Sequence, residues 1–301
     1  MKVLISGASG FIGKRLVREL GAQGHAVTRL VRRTPGAGEA AWDPAAGSID
    51  AAALEGLDAA VHLAGESIAA RRWSPAQKAR IRDSRVMGTR LLAEALGRAR
   101  SRPGTLLTAS AIGYYGDRGE APLDEDSGPG RGFLAEVCQA WEEAASPARA
   151  AGIRVAHARL GVVLAREDGA LAKMLTPFRL GLGGPIGDGR QYWSWVTAGD
   201  VVSALLHMLN DRSLAGPVNV TAPAPVTNAE FTRALGRALG RPAFLPMPGF
   251  AARLLLGEMA EALLLASARV EPKRLLGAGF QFRHPGLEEA LRAVLAADTS
   301  T

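Results

Sequence analysis

Short apolar runs alternate with longer amphipathic stretches through the first half of the chain. The runs that are rich in β-branched residues are predicted strands, at residues 2–6, 25–33, 59–63, 105–110 and 153–160. Each interval between them is long enough for a helix, and one helix is predicted over residues 133–151. Strands that alternate with helices of more than ten residues indicate a parallel sheet covered on both faces.

Two further helices have clear start signals. Ser74 precedes Pro75, a residue typical of the first helical position, and Gln77 has the spacing of a capping box. These residues predict a helix that ends near residue 98. Thr227 and Glu230 repeat the capping-box spacing before a stretch that ends near Gly240.

The alternation weakens after residue 165. A glycine-rich loop is predicted at 181–189, with short strands at 193–196 and 217–220, and Asp200 is expected to cap the helix between those strands. From residue 246 onward the pattern is mostly helical. The predicted organisation is a domain over residues 1–245, a C-terminal helical segment over 246–296 and a tail over 297–301.

Charge and cysteine content narrow the classes of protein. Lys and Arg number 36 against 29 Asp and Glu, a net charge of +7, but the arginines are spread along the chain. This distribution argues against a nucleic-acid-binding protein and favours small-molecule partners, anionic ones included. The single cysteine, Cys138, excludes an internal disulfide, and the five histidines lack metal-binding spacing, so no metal site is predicted.

No targeting or membrane-spanning segment is predicted. The chain enters a strand at Lys2 without a secretory signal. The most apolar region, 250–268, is interrupted by Arg253, Glu258 and Glu261, which makes it a poor membrane span. The expected location is the cytoplasm, with no membrane partner, and a homodimer is left open.

A glycine motif follows the first predicted strand and opens a predicted helix. Gly7 permits a tight turn, Gly10 lets backbone amides approach a pyrophosphate, and Gly13 lets the helix pack closely on the strand. The amides and the positive helix end would bind the phosphates. The predicted cofactor-binding residues of this loop are Gly7, Ser9, Gly10, Phe11, Ile12 and Gly13. The alternative is a compact turn without a ligand.

The end of the second predicted strand discriminates between two cofactors. An acidic residue there would bind the ribose hydroxyls of NAD, but no acid lies between Glu19 and Glu39. Arg32 and Arg33 stand at this position instead, and a guanidinium pairs well with a 2′-phosphate. The sequence therefore predicts NADP(H) over NAD(H). The alternative is two solvated arginines at the end of a strand.

A third part of the predicted cofactor site follows the strand at 59–63. Small residues at this strand end suit a sheet over which adenosine or ribose lies, and the predicted contacts are Leu63, Ala64, Gly65 and Glu66. On the helix that follows, Arg80 and Arg85 are further candidates for a phosphate or ribose contact. Two of the three arginines Arg80, Arg82 and Arg85 are expected to be surface charges, because a helix turns them in different directions.

These motifs resemble the extended short-chain dehydrogenase/reductases, in their epimerase/dehydratase branch. The resemblance rests on GASGFIG (7–13), HLAGES (62–67), TASAIGYYG (108–116) and WSWVTAGD (193–200). A narrower likeness, to an atypical epimerase-like subgroup with a C-terminal helical segment of unknown function, rests on WD (42–43), RLGVVL (159–164), PFRLGLGGPIGDG (177–189) and GFQFRHP (279–285). The match covers essentially the whole chain.

The resemblance implies a fold and a cofactor more firmly than a reaction. The implied fold is an α/β, Rossmann-type, doubly wound parallel sheet with a small, mostly helical C-terminal substrate lobe. The implied function is an NADP(H)-binding oxidoreductase or epimerase-like protein that acts on an unidentified small carbonyl or nucleotide-sugar substrate. The alternative is a catalytically weak NADP(H)-dependent sensor or scaffold.

The chain departs from the superfamily in its proton-transfer residues. The superfamily uses Ser, Tyr and Lys, with the last two as Tyr-x-x-x-Lys on a helix, and no such pair exists here. Phe133 and Val137 stand where it would be expected, while Ser110 matches the family serine. In one account Tyr114 or Tyr115 acts with Ser110 as a substitute acid, with Arg118 in place of the lysine charge. In the other account, these tyrosines are structural and turnover is slow or absent.

Substrate-binding groups are expected in the glycine-rich loop and just after it. Glycines let a loop fold over a ligand, an arginine binds anions and a tryptophan offers a stacking face, so the predicted substrate contacts are Gly187, Arg190, Gln191 and Trp193. The alternative is a surface loop shaped by its glycines. Trp141, Glu142 and Glu143 are interpreted as a buried tryptophan beside two exposed acids.

Overall fold

The computed structural model describes residues 1–296. Its strands are β1 (Lys2–Ser6), β2 (Ala26–Val31), β3 (Glu39–Asp43), β4 (Ser48–Ile49), β5 (Ala59–His62), β6 (Thr105–Ala111), β7 (Pro122–Leu123), β8 (Arg154–Leu160), β9 (Val162–Leu164), β10 (Tyr192–Trp193), β11 (Trp195–Thr197), β12 (Gly216–Val220), β13 (Val226–Thr227) and β14 (Arg269–Val270). Eight of these strands form one sheet, in the order β12-β8-β6-β5-β1-β2-β3-β4.

The centre of this sheet is parallel, as the alternation predicted. β3, β2, β1, β5 and β6 pair in parallel, and β4 runs antiparallel to its neighbour β3. The chain builds β2 and β3 on one side of β1 and then returns to place β5 and β6 on the other side. The strand order therefore reverses between β1 and β5, which is where ligands bind in open sheets of this kind.

The helices connect and follow these strands. They are α1 (Phe11–Ala22), α2 (Pro75–Arg98), α3 (Phe133–Glu143), α4 (Ser146–Ala150), α5 (Gly169–Arg179), α6 (Ala198–Asn210), α7 (Asn228–Leu239), α8 (Gly249–Leu256), α9 (Glu258–Ala260), α10 (Lys273–Gly277) and α11 (Leu287–Ala296), with 3-10 turns at Ala51–Leu54 and Ile112–Tyr115 and a π-helical turn at Glu261–Leu265. Among the helices of residues 1–296, none combines the length and the apolar character needed to cross a bilayer.

The chain divides into two compact units. The first contains residues 1–110, 137–158 and 202–218, and the second contains 111–136, 159–201 and the described residues from 219 onward. In the first unit, apolar side chains of the strands pack against α2 and α4 in a core that includes Leu4, Trp42, Leu92, Leu96, Leu106 and Ile153. In the second unit, α5, α7 and α11 share a core that includes Leu171, Phe178, Trp195, Phe231, Leu235 and Leu291.

Several predicted helix starts and ends are confirmed. Ser74 caps α2 by accepting a hydrogen bond from the amide of Gln77, and Thr227 and Glu230 form a complete capping box at α7. α7 ends at Gly240, whose φ of 61° is the left-handed conformation that favours glycine at a helix end. Only one of the two hydrogen bonds of the predicted capping box at Ser74 forms. The other, from the Ser74 amide to the Gln77 side chain, is replaced, because Gln77 Oε1 accepts a hydrogen bond from Arg80.

Other predictions were wrong in part. The expected helix over 133–151 is two helices, α3 and α4, and Pro147 stands in the first turn of α4, where it lacks the amide hydrogen needed to continue α3. β3 and β4 were not predicted at all. Asp200 does not cap α6: Thr197 Oγ1 accepts from the Asp200 amide, and the Asp200 carboxylate accepts from the amides of Arg283 and His284. The predicted tail, 297–301, lies outside the described residues.

Candidate functional site

The loop between β1 and α1 is too tightly packed for any residue but glycine at two positions. Gly7 has a φ of 73°, and a Cβ there would lie 2.7 Å from the Ala64 nitrogen. A Cβ on Gly13 would lie 2.1 Å from the carbonyl oxygen of Gly7. The turn thus brings the start of α1 against the carboxyl ends of β1 and β5, with no space left for side chains.

The first turn of α1 presents backbone amides without competing side chains. Gly10 is the N-cap residue, and within residues 1–296 no side chain caps this helix and no acid stands in its first turn. The free amides and the helix dipole favour an anion at this end. Ser9 and Gly10 are exposed, and the ring of Phe11 packs under the Arg15 guanidinium at 4.2 Å from its centroid.

The two arginines after β2 have different surroundings. Arg33 donates a hydrogen bond of 2.7 Å to Glu39, which lies on β3 beside Arg29. The Gly36 amide, the Arg33 hydrogen bond and the neighbouring cations hold the pKa of Glu39 below its usual value. Arg32 is exposed and has no partner within the described part of the chain. Both side chains are exposed, so Arg32 and Arg33 both remain candidates for an external anion, and Arg32 is the one without a competing acid in the described residues.

Arg85 is the arginine that α2 turns inward. Its Nη1 donates to the carbonyl oxygens of Glu66 at 2.9 Å and Ile81 at 3.0 Å, and its guanidinium lies 5.0 Å from the centroid of the Trp141 ring. Burial lowers its pKa. A Cβ on Gly65 would touch this guanidinium at 3.3 Å. Arg85 thus supports the backbone of the segment 63–66, and Arg80 and Arg82 are exposed, in agreement with the expected two surface arginines.

His62, the last residue of β5, is a buried and neutral core residue. Its ring is fully buried, Nδ1 lies 2.5 Å from Ser6 Oγ, and the ring meets the Trp42 ring edge to face. Burial, assisted by the charge of Arg85, lowers the pKa of His62 to about 4. The imidazole is therefore uncharged at neutral pH.

Ser110 has a partner that the sequence interpretation missed. Its Oγ donates a hydrogen bond of 2.7 Å to Glu142 Oε1, and Ser110 is only 2% exposed. Glu142 was expected to be an exposed acid, but it is half-buried on α3, whereas Glu143 is exposed as expected. The spacing of thirty-two residues between Ser110 and Glu142 left no local signal for this pair.

Tyr115, in the second unit, is part of a buried polar network. Its hydroxyl donates to Asn219 Oδ1 at 2.7 Å and accepts from Arg159 Nη1 at 3.0 Å, and Glu125 Oε1 accepts from the Asn219 amide. Tyr115 is fully buried, and burial raises its pKa to about 12. A Cβ on Gly130 would lie 2.0 Å from the Tyr115 carbonyl oxygen, which fixes the backbone as well.

Tyr114 is held differently from its neighbour. Its side chain is half-buried, the Arg159 guanidinium lies 3.4 Å from its ring centroid, and its ring meets the Tyr115 ring edge to face. Its hydroxyl has no hydrogen-bond partner within residues 1–296. The cation beside the tyrosine pair is thus Arg159, and not Arg118, whose guanidinium donates to the carbonyl of Gly128.

The predicted substrate contacts divide into surface and interior residues. Trp193 is buried against Phe231, which contradicts an open stacking face. Gln191 is also buried, and its side-chain amide nitrogen donates to the carbonyl oxygens of Ile186 and Leu264. Gly187 keeps a φ of 65° in the loop, and the exposed Arg190 pairs with Glu120 at 3.2 Å. Only Gly187 and Arg190 remain accessible candidates for a ligand.

Two family models match the chain. One, described as the NAD dependent epimerase/dehydratase family, matches residues 3–220. The other, a domain of unknown function (DUF1731), matches residues 247–294.

Relatives are similar over nearly the whole length. The epimerase family protein ML0860 of Mycobacterium leprae is 48% identical over 290 residues, which span 96% of this chain and 94% of that protein. The human epimerase family protein SDR39U1 is 42% identical over 301 residues, spanning 98% of this chain and 100% of that protein. The crystal structure of human SDR39U1 (isoform 2) with NADPH has a TM-score of 0.88 at 39% identity, covering 98% of this chain and 99% of that one. The fold class predicted from the sequence is confirmed.

Proposed function

The chain belongs to the NAD dependent epimerase/dehydratase family, and from this premise we propose that it binds NADP(H) and acts as an oxidoreductase or epimerase-type enzyme on a small carbonyl or nucleotide-sugar substrate. The observation that carries the proposal is the glycine turn, which lies at the reversal of strand order and ends on an uncapped helix. The NADPH in the human relative's crystal structure supports the same choice of cofactor.

The residues of the first unit fit such a cofactor. The amides of Phe11, Ile12 and Gly13 in the first turn of α1 would hold the pyrophosphate, since no side chain caps this helix end within the described residues. Arg32 would pair with the 2′-phosphate, and the segment 63–66, supported by Arg85, would lie against a ribose. When bound, the nicotinamide ring donates or accepts a hydride.

For the proton, we favour Tyr114 over Tyr115. Both hydrogen bonds of the Tyr115 hydroxyl are made within the protein, and a pKa near 12 disfavours proton exchange at neutral pH. The Tyr114 hydroxyl is left for a ligand, and Arg159 fixes its ring. The Oγ of Ser110, which donates its hydrogen to Glu142, would accept a hydrogen bond from a substrate hydroxyl.

A second candidate function is a cofactor-dependent sensor or scaffold with little turnover. It is favoured by the absence of a Tyr-x-x-x-Lys pair from the sequence and by the burial of Tyr115. In this case the first unit would bind NADP(H) unchanged, and substitution of Tyr114 would have no functional effect.

Titrations of NADPH and NADH test the cofactor assignment. We expect NADPH to bind more tightly, and Arg32→Ala to weaken NADPH alone by about 10- to 100-fold, the range of a charge-assisted hydrogen bond. Arg18→Ala, an exposed arginine on α1, is the matched control and should change neither affinity. Equal wild-type affinities for the two cofactors would refute the 2′-phosphate assignment.

Carbonyl-dependent NADPH oxidation then distinguishes the two functions. We expect Tyr114→Phe to lower the rate by about 10²- to 10⁴-fold, the contribution of a general acid, without changing NADPH affinity. If the protein saturates with NADPH but a broad panel of carbonyl compounds and nucleotide sugars gives no turnover, the sensor function is supported instead. The proposal also includes three expectations from the sequence: a cytoplasmic location, a domain boundary near residue 245, and substrate contacts at Gly187 and Arg190.

A further inference from the structure

Exposed large apolar side chains are unequally distributed between the two units. Of those in residues 1–296, the first unit has only Met1 and Met87, whereas the second unit has nine. Eight of the nine fall in two short segments, 180–182 and 244–255. We call these eight residues the apolar face: Leu180, Leu182, Phe244, Leu245, Met247, Phe250, Leu254 and Leu255.

The two segments lie side by side. The amide of Leu245 donates to the Gly183 carbonyl at 3.1 Å, and the amide of Met247 donates to the Pro185 carbonyl at 2.9 Å. A Cβ on Gly184 would lie 1.7 Å from the Leu245 carbonyl oxygen, so the backbones are in direct contact. The two segments that carry the exposed apolar side chains are therefore adjacent along their backbones.

The short helix α8 extends this surface outward. Phe250 and Leu254 are one helical turn apart and are 71% and 77% exposed, whereas Ala252 between them is fully buried. An exposed phenylalanine or leucine leaves apolar area in water, at a cost of about 25 cal/mol per Å². Exposed patches of this kind mark surfaces that bind another apolar phase.

The segments that carry the apolar face contain basic residues and no acidic ones. Residues 231–257 contain four arginines and no acid, and residues 169–187 contain Lys173 and Arg179 and no acid. Arg233, Arg237 and Arg241 line a shallow cleft together with Phe244. Arg237 pairs with Glu288 and Arg253 pairs with Glu261, while Arg179 and Arg241 have no acidic partner within the described residues.

This combination selects among the possible occupants. A second copy of the chain related by a two-fold axis would bring the same arginines face to face, which costs energy. An apolar small molecule would not use the cations. An anionic bilayer uses both features, because apolar side chains enter the interface and arginines contact the headgroups.

Against the sequence-based expectation of no membrane partner, we propose that the apolar face docks the protein on the surface of an anionic lipid bilayer. Phe244, Phe250 and Leu254 enter the headgroup region, and Arg179 and Arg241 bind lipid phosphates. The docking is peripheral and reversible, since no helix crosses the bilayer in the part of the chain that the structure covers.

Co-sedimentation of the full chain with vesicles tests the proposal. On phosphatidylcholine vesicles that contain phosphatidylglycerol, we expect saturable binding that weakens with salt and is about 30-fold tighter than on pure phosphatidylcholine, as two cations near the surface predict. Phe250→Ser with Leu254→Ser should lower the affinity at least about tenfold. Leu276→Ser, which replaces an exposed leucine outside the apolar face, is the matched control and should bind as the wild type does.

Light scattering without lipid supplies the second arm. A monomer, or a dimer that persists in the Phe250→Ser/Leu254→Ser variant, is consistent with docking on lipid. A wild-type dimer that this variant dissociates would show that the face binds a second copy, and would overturn the proposal. Absence of binding to phosphatidylglycerol vesicles, or equal binding to both vesicle types, would overturn it as well. NADPH affinity, unchanged in every variant, verifies that each one is folded.

Discussion

The two units build their polar sites over very different distances in sequence. In the first unit, Gly7 and Gly13 belong to a single seven-residue motif, and its backbone is the binding element that we propose for NADP(H). In the second unit, Tyr115 is held by Asn219, 104 residues away, and by Arg159, 44 residues away. A site made of local backbone geometry tolerates changes elsewhere in the chain, whereas a buried network depends on each of its members.

The strongest test of the local site is the contact between Gly13 and Gly7. Gly13→Val places side-chain atoms where the Gly7 carbonyl oxygen lies, so we expect NADPH affinity to fall by more than about 100-fold and stability to fall by roughly 1–3 kcal/mol. Isothermal titration with NADPH and thermal unfolding measure the two effects.

A second glycine of the same helix provides the control. A Cβ at Gly21 meets no atom within 4 Å, so Gly21→Ala should leave NADPH binding intact and raise stability by about 0.5–1 kcal/mol. If Gly13→Val bound NADPH with wild-type affinity, the turn would not be the binding element.

The buried histidine of the first unit predicts a pH dependence of stability. The pKa of His62 is about 4 in the folded chain and 6.5 in the unfolded chain, so the unfolded chain binds the proton more tightly between these values. The stabilisation is complete above pH 6.5 and is lost as the pH falls toward 4. At 1.36 kcal/mol per pKa unit, this loss is about 3 kcal/mol.

Urea unfolding at pH 7 and at pH 4.5 measures this effect. In His62→Asn the acid-dependent loss should be smaller by most of that amount, although the variant is less stable at pH 7 because the ring and its contact with Trp42 are lost. Parallel pH curves for the two proteins would show that His62 is not the group responsible.

Substitutions of Tyr115 and Tyr114 compare a hydroxyl in the buried network with a neighbouring hydroxyl outside it. Tyr115→Phe removes the buried hydroxyl that donates to Asn219 Oδ1 and accepts from Arg159 Nη1, so we expect a loss of about 1–3 kcal/mol in the free energy of unfolding. Tyr114→Phe removes a hydroxyl without a partner among the described residues and should change stability by less than about 0.5 kcal/mol. Equal losses in the two variants, measured by chemical denaturation, would contradict this difference.

The same contrast explains what could be predicted from the sequence. The strands, the N-cap at Ser74, the capping box at Thr227 and the glycine turn rest on residues a few positions apart, and the structure agrees with them. The hydrogen bond from Ser110 to Glu142, the burial of Trp193 and the ion pair of Arg33 with Glu39 depend on how distant elements meet, and no spacing rule indicates them. β3 was missed because its few apolar residues, EAAWD, show too little of the strand pattern.

The cofactor assignment depends on the position of NADPH, and a crystal structure of the protein grown with NADPH tests it most directly. We expect the pyrophosphate on the amides of Phe11, Ile12 and Gly13 and the 2′-phosphate beside Arg32, at full occupancy. A dinucleotide bound at any other place, or a 2′-phosphate in solvent with Arg32 turned away, would contradict the account.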